Sequence, residues 1–187
     1  METKRTRGLR GSVLEESINR TNQKYREQGL ALVQKIPTPI TPMKMEGSKI
    51  TLAFFAEKST VDYIGTVQGI PVCFDAKECR TKTFPMKNIH EHQVKFMRDF
   101  EKQGGIAFLI IDFTVEGICI YLPFKDLDRF WKRASAGGRK SFRLDEMDMA
   151  YRIEEGKGAL VPYLGAIKTD LERRTEKCED AQNAEDT

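Results

Sequence analysis

Two carboxylates and one amine stand at a spacing that suits phosphodiester hydrolysis. Asp75 and Lys77 are one residue apart in the run 70–77, and Asp62 lies on the loop before it. Because a strand sends alternate side chains to opposite faces, Asp75 and Lys77 share one face and the apolar residues occupy the other. Carboxylate oxygens bind Mg²⁺, and a nearby ammonium can orient a water or offset charge on a phosphate. The pattern favours metal-assisted hydrolysis; the alternative is a surface strand with an ordinary ion pair.

Length and composition predict one domain with charged tails. The chain has 187 residues and a net charge of +3, and no apolar run reaches membrane-spanning length. Residues 1–10 are charged and lack the apolar stretch of a secretory signal, so we expect a cytoplasmic protein with no membrane partner. Its four cysteines form no C-x-x-C pair, so the sequence predicts neither a zinc site nor a disulfide framework.

Hydrophobic periodicity predicts an α/β domain around these residues. A first helix begins at Ser12, with Glu15 at capping-box spacing, and ends near Gly29. The continuous apolar run 106–111 is typical of a strand covered by helices on both faces. Further strands are predicted at 30–35, 50–55, 70–77 and 118–122, and further helices at 89–103, capped by Asn88, and at 124–134. We expect a flexible basic arm at 1–10, a single domain at 11–168, and a charged tail at 169–187 that frays from helix into disorder.

The prolines at 37, 39 and 42 predict extended chain that is neither helix nor central strand. With a turn at 46–48 and the strand that follows, the segment at about 37–58 forms a long ribbon with few partners in the core pattern. Exposed Phe54 or Phe55 would stack on bases or pack in a dimer. A plain hairpin folded onto the body is the alternative.

Gln93 is a polar residue on the inward stripe of the helix at 89–103. An inward glutamine needs a partner: its carboxamide touches a metal, a water on the metal or a catalytic side chain, or else it bonds to strand backbone. The nearby His90 and His92 are two residues apart, a spacing at which helical side chains do not converge on one ion.

Two basic stretches are candidates for phosphate contact. One is the arm at 1–10, for which an ordinary frayed terminus is the alternative, and the other runs from 125 to 143 with Trp131 and Phe142 interleaved. A merely solvated face is the alternative for the second stretch. The candidate DNA-binding residues of the arm, the ribbon and the second stretch are Arg5, Arg7, Arg10, Lys44, Lys49, Phe54, Phe55, Arg139 and Lys140.

An ordered series of short motifs resembles the RecU-type Holliday junction resolvases of Gram-positive bacteria and their phages, within the PD-(D/E)xK nuclease superfamily. The resemblance spans roughly residues 10–165. The motifs are Arg10-Gly11 with Glu15 and Ile18-Asn19, Pro37-Thr38-Pro39, Ser59-Thr60-x-Asp62-Tyr63, Phe74-Asp75-Ala76-Lys77-Glu78, Phe84-Pro85-x-Lys87-Asn88-x-His90-Glu91-His92-Gln93, and Gly138-Arg139-Lys140-Ser141.

The resemblance implies a restriction-endonuclease-like mixed central sheet flanked by helices, with a protruding β-ribbon stalk that inserts into the centre of a four-way junction. It implies an endonuclease that resolves Holliday junctions by paired, symmetric, Mg²⁺-dependent nicks during recombination and repair, with Mn²⁺ as a substitute ion. The implied metal positions are Thr60, Asp62, Asp75 and Gln93. Lys77 would stabilise the transition state, and Glu15 would be an acidic residue of the first helix near the active site.

A homodimer is the implied assembly, and the RecA recombinase and a branch-migration helicase are the implied protein partners. The chain departs from the family at Asp75, where Glu is usual, and we expect activity to survive the shorter side chain. Two other functions stay open: a non-catalytic junction-binding regulator of recombination, and a duplex-specific nuclease of the same fold.

Overall fold

A computed structural model describes residues 13–37, 39–55, 60–156 and 159–185. The expected basic arm and Ser12 lie outside these ranges. The helices are α1 (Val13–Glu27), α2 (Glu91–Lys102), α3 (Phe124–Ser135) and α4 (Leu164–Glu185). The strands are β1 (Ala31–Lys35), β2 (Ile40–Glu46), β3 (Lys49–Phe55), β4 (Tyr63–Val67), β5 (Ile70–Cys79), β6 (Thr83–Pro85), β7 (Ile106–Phe113), β8 (Ile118–Pro123), β9 (Ser141–Arg143) and β10 (Arg152–Ile153).

A mixed six-stranded sheet with the order β1-β4-β5-β7-β8-β10 forms the centre of the domain. The β5 and β7 strands run parallel, as expected when the helix α2 joins them, and the other neighbours are antiparallel. Helices pack on both faces of this sheet. The predicted α/β class, with a mixed central sheet flanked by helices, is therefore confirmed. Among the described residues, no helix is both long and apolar enough to cross a membrane.

The alternation of side chains along β5 separates two faces of the sheet. On one face, Phe74 stacks between Tyr63 and Phe108, and the Tyr63 hydroxyl contacts Asn19 of α1 at 3.1 Å. On the other face, Asp75 meets α2. The candidate catalytic face of β5 is therefore the face that α2 covers.

The β2 and β3 strands pair with each other as a separate two-stranded ribbon. Every residue of β2 is exposed, including Met43 and Met45, and Phe54 on β3 is 50% exposed. This exposure excludes a hairpin folded onto the body, and the predicted ribbon is confirmed.

The start of α2 differs from the prediction. Residues 86–88 form a 3-10 turn, closed by a hydrogen bond from the Ile89 amide to the Met86 carbonyl, so the α-helix begins only at Glu91 with His90 as its N-cap. Asn88 is therefore not the cap.

A short strand pair, β6 with β9, was not predicted from sequence. In it Phe142 is fully buried and stacks on Phe84 and Phe130. The interpretation of Phe142 as part of a phosphate-contacting stretch is wrong, because its ring belongs to the core.

The ordered domain continues past residue 168 in α4. Asp170 is fully buried, and Arg174 forms a bidentate ion pair with Glu101 at 2.7 and 2.8 Å. The predicted boundary at residue 168 lies too early, because the polar pattern of this helix conceals a buried charged contact.

Candidate active site

Three side chains meet where β4 begins and β5 continues through the sheet. Tyr63 pairs with Phe74 across the two strands, so the residues next to them, Asp62 and Asp75, are also neighbours. The Lys77 ammonium lies 2.9 Å from Asp75 Oδ2 and 3.9 Å from Asp62 Oδ2. The structure thus brings together the two carboxylates and the amine that the sequence singled out.

The cluster is set into the domain and is not an ordinary surface ion pair. Asp75 has no exposed side-chain surface, whereas Asp62 and Lys77 keep 25% and 22% of theirs. The difference arises because β5 lies between β4 and β7 and is covered by α2. Asp75 therefore forms the floor of the site, and Asp62 and Lys77 form its open side.

Gln93 contacts the cluster from the first turn of α2. Its Oε1 accepts the His90 backbone amide at 3.0 Å, and its Nε2 donates to Asp75 Oδ2 at 2.5 Å. The orientation of the carboxamide follows from chemistry, because the backbone amide requires an acceptor and the carboxylate requires a donor. Of the alternatives for this inward glutamine, the structure gives a contact with the side chain of Asp75, a candidate catalytic residue.

The two oxygens of Asp75 have different surroundings. Oδ2 receives both the Lys77 ammonium and the Gln93 amide, whereas Oδ1 is buried and has no hydrogen-bond donor among the described residues. An uncompensated buried oxygen is costly, and its cost falls if the group is protonated or binds a cation. Burial, together with the neighbouring Asp62 carboxyl, raises the pKa of Asp75 to about 8.

The pKa of Asp62 shifts in the opposite direction. Burial acts to raise its pKa, but the adjacent Asp75 carboxyl, the charge of Lys77 and the Ala76 amide together outweigh burial and lower it. The surroundings therefore favour the neutral form of Asp75 and the charged form of Asp62. A bound cation would offset the cost of ionising Asp75.

Glu15 lies on α1 with its carboxylate 2.5 Å from the Lys35 ammonium. Lys35 in turn faces Tyr63 across β1 and β4, and the charge of Lys35 contributes to lowering the pKa of Asp62. The Tyr63 hydroxyl also contacts the backbone carbonyl of Glu15 at 3.4 Å. The structure therefore links Glu15 to the edge of the site through Lys35 and Tyr63, a connection that the sequence did not reveal.

The remaining candidates are distributed over the molecule. Thr60 lies two residues before Asp62 and is partly buried. Lys44, Lys49 and Phe54 are exposed on the ribbon, where Phe55 is described for its backbone only. Arg139 is paired with Glu146, whereas Lys140 is exposed; Arg5, Arg7 and Arg10 lie outside the described residues.

The donor set fits a hard divalent cation. The unpaired Oδ1 of Asp75 and the Asp62 carboxylate present adjacent oxygens, which is the ligand chemistry of Mg²⁺. Within the ranges that the structure describes, no group of three or more His, Cys, Asp or Glu side chains could hold a metal. Water, backbone or substrate oxygens would then complete the coordination, as is common for Mg²⁺.

Comparison with known proteins identifies the family. The family model for RecU, described as Recombination protein U, matches residues 9–169, which include the whole cluster. The chain belongs to the RecU family. A relative from Pediococcus pentosaceus, named Holliday junction resolvase RecU, is 41% identical over 172 residues, which cover 88% of this chain and 86% of that protein. A relative of the same name from Bacillus pumilus is 40% identical over 167 residues, which cover 86% of this chain and 80% of that protein.

A solved structure of Hjc, a Holliday junction resolvase from Archaeoglobus fulgidus, has a TM-score of 0.40 and 10% identity to this RecU-family chain. The match covers 62% of this chain and 78% of that one. A likeness at this TM-score is too weak to support an argument about fold or function.

Proposed function

We propose that this protein is a structure-selective endonuclease that resolves four-way DNA junctions by metal-dependent hydrolysis of phosphodiester bonds. The observation that carries the proposal is the convergence of Asp62, Asp75 and Lys77 on one side of β5, with a buried carboxylate oxygen left unpaired. Membership in the RecU family supplies the substrate class. DNA as substrate also favours a cytoplasmic location, as expected from the sequence.

Asp62 and Asp75 would hold the divalent ion, Mg²⁺ with Mn²⁺ as a substitute. When bound, the ion supplies Lewis-acid polarisation of the scissile phosphate and lowers the pKa of a water. Gln93 and Lys77 both contact Oδ2 of Asp75 and so keep Oδ1 available for the ion. Gln93 is therefore a positioning residue for Asp75 in this proposal. Thr60 stays a candidate ligand through its position beside Asp62.

Lys77 stabilises negative charge that develops on the phosphate oxygens. Its side chain is 22% exposed and its ammonium already contacts both carboxylates, so it needs little rearrangement to reach a phosphate bound at the site. A fixed positive charge in a partly buried site stabilises a transition state more strongly than one in water. Glu15 acts at a distance in this scheme, through its ion pair with Lys35.

Selectivity for junctions over linear duplex depends on the shape of the DNA substrate. A four-way junction has an open centre that the exposed ribbon of β2 and β3 can enter, whereas a linear duplex has no such opening. Two symmetric nicks require two active sites, so we propose a homodimer with twofold symmetry as the active assembly. A RecA-type recombinase and a branch-migration helicase are the partners that the family resemblance adds.

The test is a cleavage assay on a mobile four-way junction and a linear duplex of matched sequence, with Mg²⁺ or with chelator. We expect symmetric nicking of the junction only when Mg²⁺ is present. Asp62→Ala or Lys77→Ala should each lower the cleavage rate by roughly 10²–10³-fold, the usual effect of removing one charge-stabilising group, while junction binding is retained. Lys82→Ala is the matched control, because Lys82 pairs with Glu116 outside the cluster.

Each alternative function predicts a different outcome. Equal cleavage of junction and duplex would indicate a duplex nuclease and contradict the proposal. Tight junction binding with no cleavage by the unaltered chain would indicate a non-catalytic regulator.

A further inference from the structure

A cleft of 560 Å³ opens between α3 and the segment that leads into α2. Its apolar residues include Met86, Ile89 and Trp131, and Lys87 and Lys140 also line it. No acidic residue lines this cleft among the described residues. It is therefore a site with an apolar wall and positive charge, a composition suited to an anionic ligand that also has apolar surface.

Charge pairing separates Lys140 from the other cations of the stretch 125–143. Every other arginine or lysine of this stretch lies within 4 Å of a carboxylate, while Lys140 has no such partner among the described residues. The pairs are Lys125 with Asp170, Arg129 with Asp126, Lys132 with Asp128, Arg133 and Arg139 with Glu146, and Arg143 with Asp145. Most of the apparent basic patch is therefore neutralised internally.

Lys87 is the second lysine of the cleft with no acidic partner among the described residues, and it is exposed. It lies three residues before His90, whose backbone amide binds the Gln93 carboxamide, which in turn binds Asp75. The cleft is therefore continuous along the chain with the catalytic cluster. The segment that lines the cleft is therefore anchored, through His90 and Gln93, to a residue of the cluster where DNA would be cut.

We propose that this cleft binds the sugar-phosphate backbone of one strand of the DNA substrate. Lys87 and Lys140 contact successive phosphates, and the Trp131 side chain packs against deoxyribose. The inference rests on the proposed function, since it takes DNA as the substrate. It changes the assignment for the basic stretch: Lys140 contacts phosphate, whereas Arg139 remains with Glu146.

Trp131 is the only tryptophan of the chain, so intrinsic fluorescence reports on this cleft directly. The experiment titrates the full-length protein with a fluorescein-labelled four-way junction in chelator, which prevents cleavage. Anisotropy of the label reports binding independently of the tryptophan. We expect tryptophan emission to change with the same midpoint as the anisotropy.

Charge substitutions complete the test. Lys87→Gln and Lys140→Gln should each weaken junction binding by about three- to tenfold and lower the slope of log Kd against log salt by about one. Lys132→Gln is the matched control, because Lys132 adjoins Trp131 in sequence but is paired with Asp128 at 2.7 Å. It should leave both quantities unchanged.

Three results would overturn the inference. One is anisotropy that reports junction binding while tryptophan emission stays constant. Another is a loss of affinity in Lys132→Gln as large as in the two cleft variants. The third is tryptophan emission that follows protein concentration without DNA, which would assign the cleft to a second copy of the chain. Failure of the proposed function is distinct, because it would appear in the cleavage assay, as no cleavage or as equal cleavage of junction and duplex, whereas this test measures binding in chelator.

Discussion

Asp75 is a carboxylic acid with no exposed side-chain surface, placed on a strand in the middle of the sheet. Lys77 and Gln93 both donate to one of its oxygens, and the other oxygen has no donor among the described residues. Such an arrangement lowers stability in the metal-free protein, because the charged form of a buried acid is penalised. Local destabilisation of this kind is expected where a site is built to bind a cation.

The raised pKa of Asp75 predicts a pH dependence of stability in chelator. Its pKa is about 4 in the unfolded chain and about 8 in the folded protein. An acid with a raised folded-state pKa carries no penalty below the unfolded value, and its penalty grows as pH rises toward the folded value. The free energy of unfolding of Asp75→Asn, relative to the unaltered protein, should therefore increase from pH 5 to pH 8.

Urea unfolding at the two pH values measures this difference, with Asp145→Asn as a control. Asp145 lies outside the cluster, has 61% of its side-chain surface exposed and pairs with Arg143. Saturating Mg²⁺ should remove the effect if the ion binds the ionised pair. Parallel stability curves for Asp75→Asn and the unaltered protein would contradict the prediction.

At the scale of elements, the ribbon is the part of the fold that depends least on the body. Its strands pair with each other, and Ile50, Leu52 and Phe54 lie on one face of β3 with 45–50% of their surface exposed. Exposed apolar side chains in a row contribute little to folding and indicate a surface for contact. The ribbon therefore suits contact with a partner more than it stabilises the fold.

Replacing residues 40–55 by a short Gly/Ser linker should separate folding from junction selectivity. We expect the free energy of unfolding to change by no more than about 1 kcal/mol, because the described side chains of the ribbon are exposed. Cleavage of the four-way junction should fall far more than folding, since nothing then occupies the centre of the junction. Urea unfolding and the junction assay measure the two effects.

A double variant, Ile50→Thr with Leu52→Thr, is the control for this replacement. It keeps β-branched or strand-compatible residues and the length of the ribbon while removing apolar surface. If shape alone gives selectivity, this variant resolves junctions as the unaltered protein does. If the linker variant resolved junctions at the full rate, the assignment of the ribbon as the element that enters the junction would be wrong.

At the scale of the whole molecule, Asp170 connects α4 to the sheet and to the end of α2. Its buried carboxylate accepts the Tyr121 hydroxyl at 3.0 Å and two Arg174 nitrogens at 2.9 and 3.1 Å. Arg174 also binds Glu101, which accepts the Ala107 backbone amide at the start of β7. This network makes α4 part of the domain that holds the catalytic strands.

Asp170→Ala should destabilise the protein by about 3 kcal/mol, because it leaves the buried Tyr121 hydroxyl without its acceptor and removes one of the two carboxylate partners of the partly buried Arg174. Thermal or urea unfolding measures the loss. Glu172→Ala is the matched control on the same helix, since Glu172 is exposed and pairs only with Lys168 at 3.7 Å among the described residues. Equal stabilities for the two variants would contradict a structural role for α4.

Local pattern predicted much of this architecture. The alternation of β5 placed Asp75 beside Lys77, the apolar run at 106–111 predicted a strand covered on both faces, and the prolines predicted the ribbon. Each of these features depends on residues only a few positions apart. The cap of α2 was misplaced because a 3-10 turn, closed by the bond from the Ile89 amide to the Met86 carbonyl, competes locally with the α-helix. The boundary at 168 was placed too early because the deciding contact, with Glu101, is distant in the chain.

The amino-acid sequence by itself determined the family, the class of fold and the trio of Asp62, Asp75 and Lys77. The reason is that motif order and strand periodicity depend only on the order of residues along the chain. Only the tertiary structure decided in which direction the pKa of each carboxyl shifts, how Gln93 is oriented, and which cations of the stretch 125–143 have no acidic partner among the described residues. The physical reason is that burial and ion pairing depend on groups brought together from distant positions. Glu101 and Arg174, for example, are 73 residues apart in the chain.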